Sequence, residues 1–170
     1  MNITSSRSRW LLISLSLCLA AICWIGATTA LSGGTIVFAG KPPTNLGVQS
    51  GQLAPCPSTP NCVSSQSQDA QNKIEPLTYN SSPAEAIANL KTVIESLPKT
   101  RIITETENYL YAEFTSALMG FVDDVEFYLD EGAKVIQVRS ASRLGQSDLG
   151  VNRNRIETIR AKLNELRSSV

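Results

Sequence analysis

Two hydrophobic periods organise the second half of the chain. Ala84, Ile87, Leu90, Ile94 and Leu97 recur at the three- and four-residue spacing of one helix face. Ser82 stands where a cap accepts an orphan N–H, Pro83 at the first helical position, and Pro98 stops the pattern. The period then changes to two. Residues 101–106 and 109–116 read as strands joined at Glu107-Asn108, with Leu110, Ala112 and Phe114 on one face. Residues 125–129 and 135–140 form another pair around the turn Asp130-Glu131-Gly132. A helical stripe returns at Ile156, Ile159, Leu163 and Leu166, with Asn152 placed as its cap. Upstream, residues 74–79 (IEPLTY) read as a short strand, and Pro76 suits an edge position.

The predicted order is strand, helix, four strands, helix. Strands joined by tight turns make an antiparallel sheet, and two helices with one apolar stripe each must cover one face of it. The expected fold class is therefore α+β in two layers, with about five strands and two helices packed on one face.

The first third of the chain has a different pattern. Arg7 and Arg9 precede the uncharged apolar run from Trp10 to Ala27. This is the layout of an export signal, with cleavage sites after Ala30 or Ala39, or of an uncleaved membrane anchor. In both cases Arg7 and Arg9 stay on the cytoplasmic side and the rest faces outward. Cys18 and Cys23 follow large residues, Leu17 and Ile22, a poor context for lipoprotein processing, and read as apolar members of the run. The stretch that follows is rich in Gly, Pro, Ser and Thr and has no apolar period, so it reads as a tether. The expected organisation is a signal or anchor over 1–31, a flexible linker over 32–52 and a single domain over 53–170.

Charge narrows the classes of function. The chain has 15 basic and 15 acidic side chains, and Arg7 and Arg9 are the only charges before Lys41. The remainder thus carries 13 basic and 15 acidic residues, a net of −2, which gives no reason to expect a nucleic-acid partner. The absence of histidine removes Ser-His-Asp and Cys-His catalysis and His-ligated metals. No cofactor and no metal site is expected.

Three groups of residues can carry chemistry. Cys56 and Cys62 are the only cysteines outside the apolar run, and outside the cytoplasm two such thiols pair. Their spacing is not Cys-x-x-Cys and no basic residue lies near them, which argues against a redox-active pair. Asp123 and Asp124 form a candidate acid pair, but neighbours on a strand point to opposite faces, so only one can join a given site. The alternative is an ion pair between one of them and Arg139 or Arg143, with the other solvated. Arg139, Ser142, Arg143, Asn152 and Arg153 flank a loop containing Gly145 and Gly150. Arginine forks and hydroxyls near a helix start can bind an anion or a carboxylate. The competing reading is a loop stapled by Arg-Asp pairs.

The segments CPSTPNCVSSQ, FVDDVEFYLD and VIQVRSASRLGQSDLGVNRNRIE, taken together, resemble the domain-of-unknown-function family numbered 1499. The resemblance runs from about Leu53 to Leu166. It implies an exported or membrane-tethered domain of bacteria or photosynthetic organelles, in the periplasm or the thylakoid lumen. It implies no activity, so no catalytic residue is carried over.

The leading expectation is a binding or assembly module that recognises an acidic group on a small anionic ligand or a protein partner. One alternative is a hydrolase using an Asp of the Asp123-Asp124 pair. Another is a structural protein without a pocket. The N-terminal run supplies the membrane contact if it is not cleaved. An open cleft shared by an Asp and the Arg-Ser cluster favours an enzyme; a buried ion network favours neither catalysis nor ligand capture.

Overall fold

The computed structural model describes residues 38–168. The apolar run, its two cysteines and both cleavage sequences begin outside these residues, and no helix among the described residues is long and apolar enough to cross a membrane.

The elements are β1 (Cys62–Ser64), β2 (Leu77–Thr78), α1 (Pro83–Glu95), β3 (Thr100–Glu105), β4 (Tyr109–Thr115), β5 (Val122–Asp130), β6 (Val135–Ser142) and α2 (Val151–Ser168). All six strands join one antiparallel sheet in the order β1-β6-β5-β4-β3, and β2 also pairs with β6. The fold is α+β, with helices packed on an antiparallel sheet. The expected five strands become six because β1 has only three residues, all buried, and so lacks the alternation that marks a strand in sequence.

α1 starts as its caps dictate. The Ser82 hydroxyl accepts from the Glu85 N–H, and Pro83 opens the helix. Its buried stripe is Ala86, Ile87, Leu90, Val93 and Ile94, shifted slightly from the expected one because Ala84 faces solvent. α2 buries Ile156, Ile159 and Leu163 as expected. Asn152 is not its cap. It lies inside the helix and is fully buried, while Asp148 caps the turn by accepting from the N–H groups of Gly150 and Asn152 at 3.0 and 2.7 Å. Between helices and sheet lie Leu90, Ile94, Leu110, Phe127 and Val138, each without measurable exposure. Burying one side chain of the size of Phe127 stabilises the fold by about 1.5–3 kcal/mol.

The other face of the sheet is also covered. Residues 38–53, read from composition as mostly linker, form a strap across it. The Gly47 N–H donates to Glu126 Oε1 at 2.7 Å. The Gln66 side chain bonds the backbone of Gly51 and Leu53, both at 2.9 Å. Phe38 stacks on Phe121 with ring centroids 5.4 Å apart. Gly40 has φ +65° and passes so close that a Cβ there would lie 2.9 Å from Arg143 Cβ. Polar contacts of this kind leave no apolar period, so a pattern search passes over them.

Candidate functional site

Strand alternation sorts the seven candidate site residues onto two sides of the sheet. β5 and β6 pair with Asp123 opposite Ser142 and Asp124 opposite Ala141. Asp123 and Ser142 therefore face the helices with Asn152. Asp124, Arg139 and Arg143 face the strap. The candidates do not converge on one cleft.

On the strap side, Arg143 lies at the centre. Its Nε donates to Asp124 Oδ2 at 2.9 Å and its NH2 to Asp124 Oδ1 at 2.7 Å, a two-pronged pair. The same NH2 reaches Glu113 Oε1 at 2.5 Å and the Tyr111 hydroxyl at 3.1 Å. The Tyr111 hydroxyl donates to Asp124 Oδ1 at 2.6 Å. The side chains of Arg143 and Asp124 are 5% and 0% exposed. Hydrogen bonds from Arg143 to Asp124 hold its guanidinium firmly charged, outweighing the opposing effect of burial. Burial, then the bond to Asp124, pushes the Tyr111 phenol up. Burial also pushes the Glu113 carboxyl up, but Arg101 and Arg143 together outweigh it and hold the group below its ordinary value.

A second pair lies farther along this face. Arg139 NH1 is 3.3 Å from Glu126 Oε2 and both side chains are buried. Glu126 Oε1 accepts from the Tyr109 hydroxyl at 2.9 Å as well as from Gly47. Burial, with Glu126 beside it, pushes the Tyr109 phenol up. Arg139 Nε has no partner, alone among the buried side-chain nitrogens and oxygens of the described residues.

On the helix side, Asn152 is the hub. Its Oδ1 accepts from the Ser140 hydroxyl at 2.5 Å and from Arg155 NH1 at 2.6 Å. Its Nδ2 donates to the Asn61 carbonyl and the Ser142 hydroxyl, each at 3.0 Å. Arg155 completes the network by pairing with Asp123 and lying over the Phe114 ring, 4.8 Å from its centroid. Asp123 is thus paired, not solvated. Arg153, half-buried near the start of α2, reaches only the Gln71 carbonyl, at 3.0 Å.

Sequence reasoning missed Tyr111, Glu113, Glu126, Asn61 and Arg155. Tyr111 and Glu113 carry a usable signal, since they alternate with Leu110, Ala112 and Phe114 and must face the side opposite the core. Arg155 is one turn from Asn152 on the same helix, a spacing that brings side chains together. Asn61 bonds Asn152 across 91 positions and has no local signal.

Cys56 and Cys62 form a disulfide, with Cα atoms 5.7 Å apart. Cys62 pairs with Ala141 in the sheet, so the bridge closes the loop that carries Asn61. Asn61 Nδ2 in turn holds the Gly145 carbonyl at 2.8 Å. A hollow of about 630 Å³ lies at the opposite end of the sheet, beside Ile87, Glu105, Glu107 and Glu131, and none of the seven candidates lines it.

A comparison with curated proteins finds no match. The family model described as "Protein of unknown function (DUF1499)" matches residues 52–163, more than half of the chain. Its span takes in the disulfide loop, both polar networks and most of α2, and the chain belongs to the DUF1499 family.

Proposed function

We propose that the chain is an interaction module that works outside the cytoplasm, tethered to a membrane, with no catalysis of its own. The observation that carries this reading is the pairing of Asp123 with Arg155 and of Asp124 with Arg143, on opposite faces of the sheet. A general base needs a lone pair aimed at substrate, and an anion site needs an arginine fork free to close on its ligand. Here the carboxylates and forks are spent on one another. The polar signature then acts as a framework that holds the loops at one end of the sheet. The disulfide and the charged, then apolar, N-terminus support a location outside the reducing cytoplasm, in the periplasm or the thylakoid lumen.

The test is made in cells that lack the native gene. Asp123→Asn, Asp124→Asn and Arg143→Lys variants should repair the deletion defect in proportion to the protease-resistant protein each accumulates. A variant that accumulates as well as wild type yet repairs nothing would place chemistry or ligand capture at that residue, and the reading fails.

One observation favours a second reading, recognition of an acidic group. The orphan Nε of Arg139 is a buried donor under the strap, suited to one carboxylate oxygen. Arg139→Lys keeps the charge and lacks that donor. Acetate binding by wild type, lost in this variant by calorimetry, supports the second reading; equal heats refute it.

A further inference from the structure

We propose that the sheet end bearing the disulfide rests directly on a lipid bilayer, with the loops at 116–121 and 143–150 dipping into its interface. Eight large apolar side chains are exposed among the described residues, and seven of them gather at this end; Ile103, in mid-strand on β3, is the exception. Leu118 and Leu149 protrude most, at 87% and 93% exposure, and Met119, Phe121, Leu144 and Phe38 surround the loop bases. These are convex tips on separate loops, a shape suited to a soft apolar medium and not to a groove for one peptide.

Three further features favour lipid over a second copy of the chain. The first is where the described chain begins. Phe38 stacks on Phe121, within the patch, and only residues 28–37 separate it from the apolar run ending at Ala27. That stretch reaches about 40 Å at most, so an anchored run keeps this end near the membrane. The second is charge. Lys41 and Lys99 flank the patch, whereas Glu105, Glu107, Asp130 and Glu131, with Lys134 among them, leave the opposite end net acidic. Such a division orients the domain on an anionic surface. The third is that Asp148 is the one acid on these two loops, and its carboxylate accepts from the Gly150 and Asn152 N–H groups at the start of α2, whose positive end offsets part of its charge.

The proposal rests in part on the membrane tether of the proposed function, and one experiment separates the two. Trp10 and Trp24, the only tryptophans, both lie in or at the apolar run. The full chain is reconstituted into vesicles of equal parts phosphatidylcholine and phosphatidylglycerol, with and without bromine on the acyl chains. Native emission reports the run. Leu118→Trp, in a Trp10→Phe and Trp24→Phe background, reports the loop, and Glu131→Trp in that background is the control for the far end. Leu118 is so exposed that the larger ring fits without disturbing the fold. The expected result is a blue shift and loss of most emission with brominated lipid for Leu118→Trp, and no loss for Glu131→Trp. Quenching of the native tryptophans without quenching at position 118 overturns the docking and leaves the tether standing. A blue shift at position 118 without quenching indicates burial against protein and also overturns it. Quenching at position 118 but not in the native chain supports the docking and refutes the tether.

Discussion

Arg143 offers the sharpest test of the framework. Changing Arg143→Met keeps the length and apolar stem of the side chain and removes the charge. Asp124, with no side-chain exposure, then loses its three hydrogen bonds from Arg143 and its counter-charge, and keeps the Tyr111 hydroxyl. Glu113 loses one of its two arginines. Removing one partner of a buried pair costs about 3–5 kcal/mol. A solvent-exposed pair costs about 0.2–1 kcal/mol. Exposures of 5% and 0% for the two side chains place this pair in the first class. Against a typical domain stability of about 5–15 kcal/mol, the loss is readily seen in urea unfolding at neutral pH. Asp124→Asn added to Arg143→Met removes the stranded charge and should recover much of the loss, so the double variant is more stable than the single one. A loss under about 1 kcal/mol, with no recovery on adding Asp124→Asn, would refute the buried-pair reasoning.

Asn152→Ala should destabilise by about 1–3 kcal/mol for each buried partner it strands, by chemical unfolding, and Asn152→Asp should fare no better because it puts an acceptor oxygen where the Nδ2 donor met the Asn61 carbonyl and the Ser142 hydroxyl. Cys56 and Cys62 should resist thiol labelling until reduced, and reduction should cost about 2.4 kcal/mol for a seven-residue ring. Glu113 titrates below its ordinary value of 4.5 in the folded state, so its contribution is present above that pH and is lost as pH falls through the folded value. Glu113→Gln should flatten that part of the acid limb in a stability-against-pH profile. Tyr109 and Tyr111 are raised above their ordinary 10.0, so their contribution is full below pH 10 and fades above it. Ultraviolet absorbance should show both phenols ionising only together with loss of fold.

The helices, the hairpins and the apolar face of β4 were legible because each rests on periodicity or on local turn and cap chemistry. α1 begins at Pro83 after Ser82, as the motif demands. β1 was not legible, since three buried residues have no period. Asn152 shows a subtler limit. An Asn ahead of a helical stripe fits a cap by composition, but Asp148 lies one turn earlier and takes that role, freeing Asn152 to point inward. The acids and arginines of the signature were visible as residues and not as pairs. Alternation already separates Asp123 from Asp124, yet which arginine each meets depends on strand register and on α2, which sequence alone leaves open.

The strap bears on the order in which the fold is completed. Its Gly47 meets Glu126, 79 positions later, and Gly40 passes beside Arg143. Ribosomes make the strap before any strand of the sheet it covers. The disulfide, by contrast, joins residues only 6 apart and can close as soon as both reach an oxidising compartment. Docking of the strap therefore has to wait until β5 and β6 have been made, whereas the ring needs only its own loop. Until the strap docks Glu126 and the Arg143 cluster stand open to water, so a protease or chaperone acting on the young chain meets a charged sheet face that the finished protein never displays.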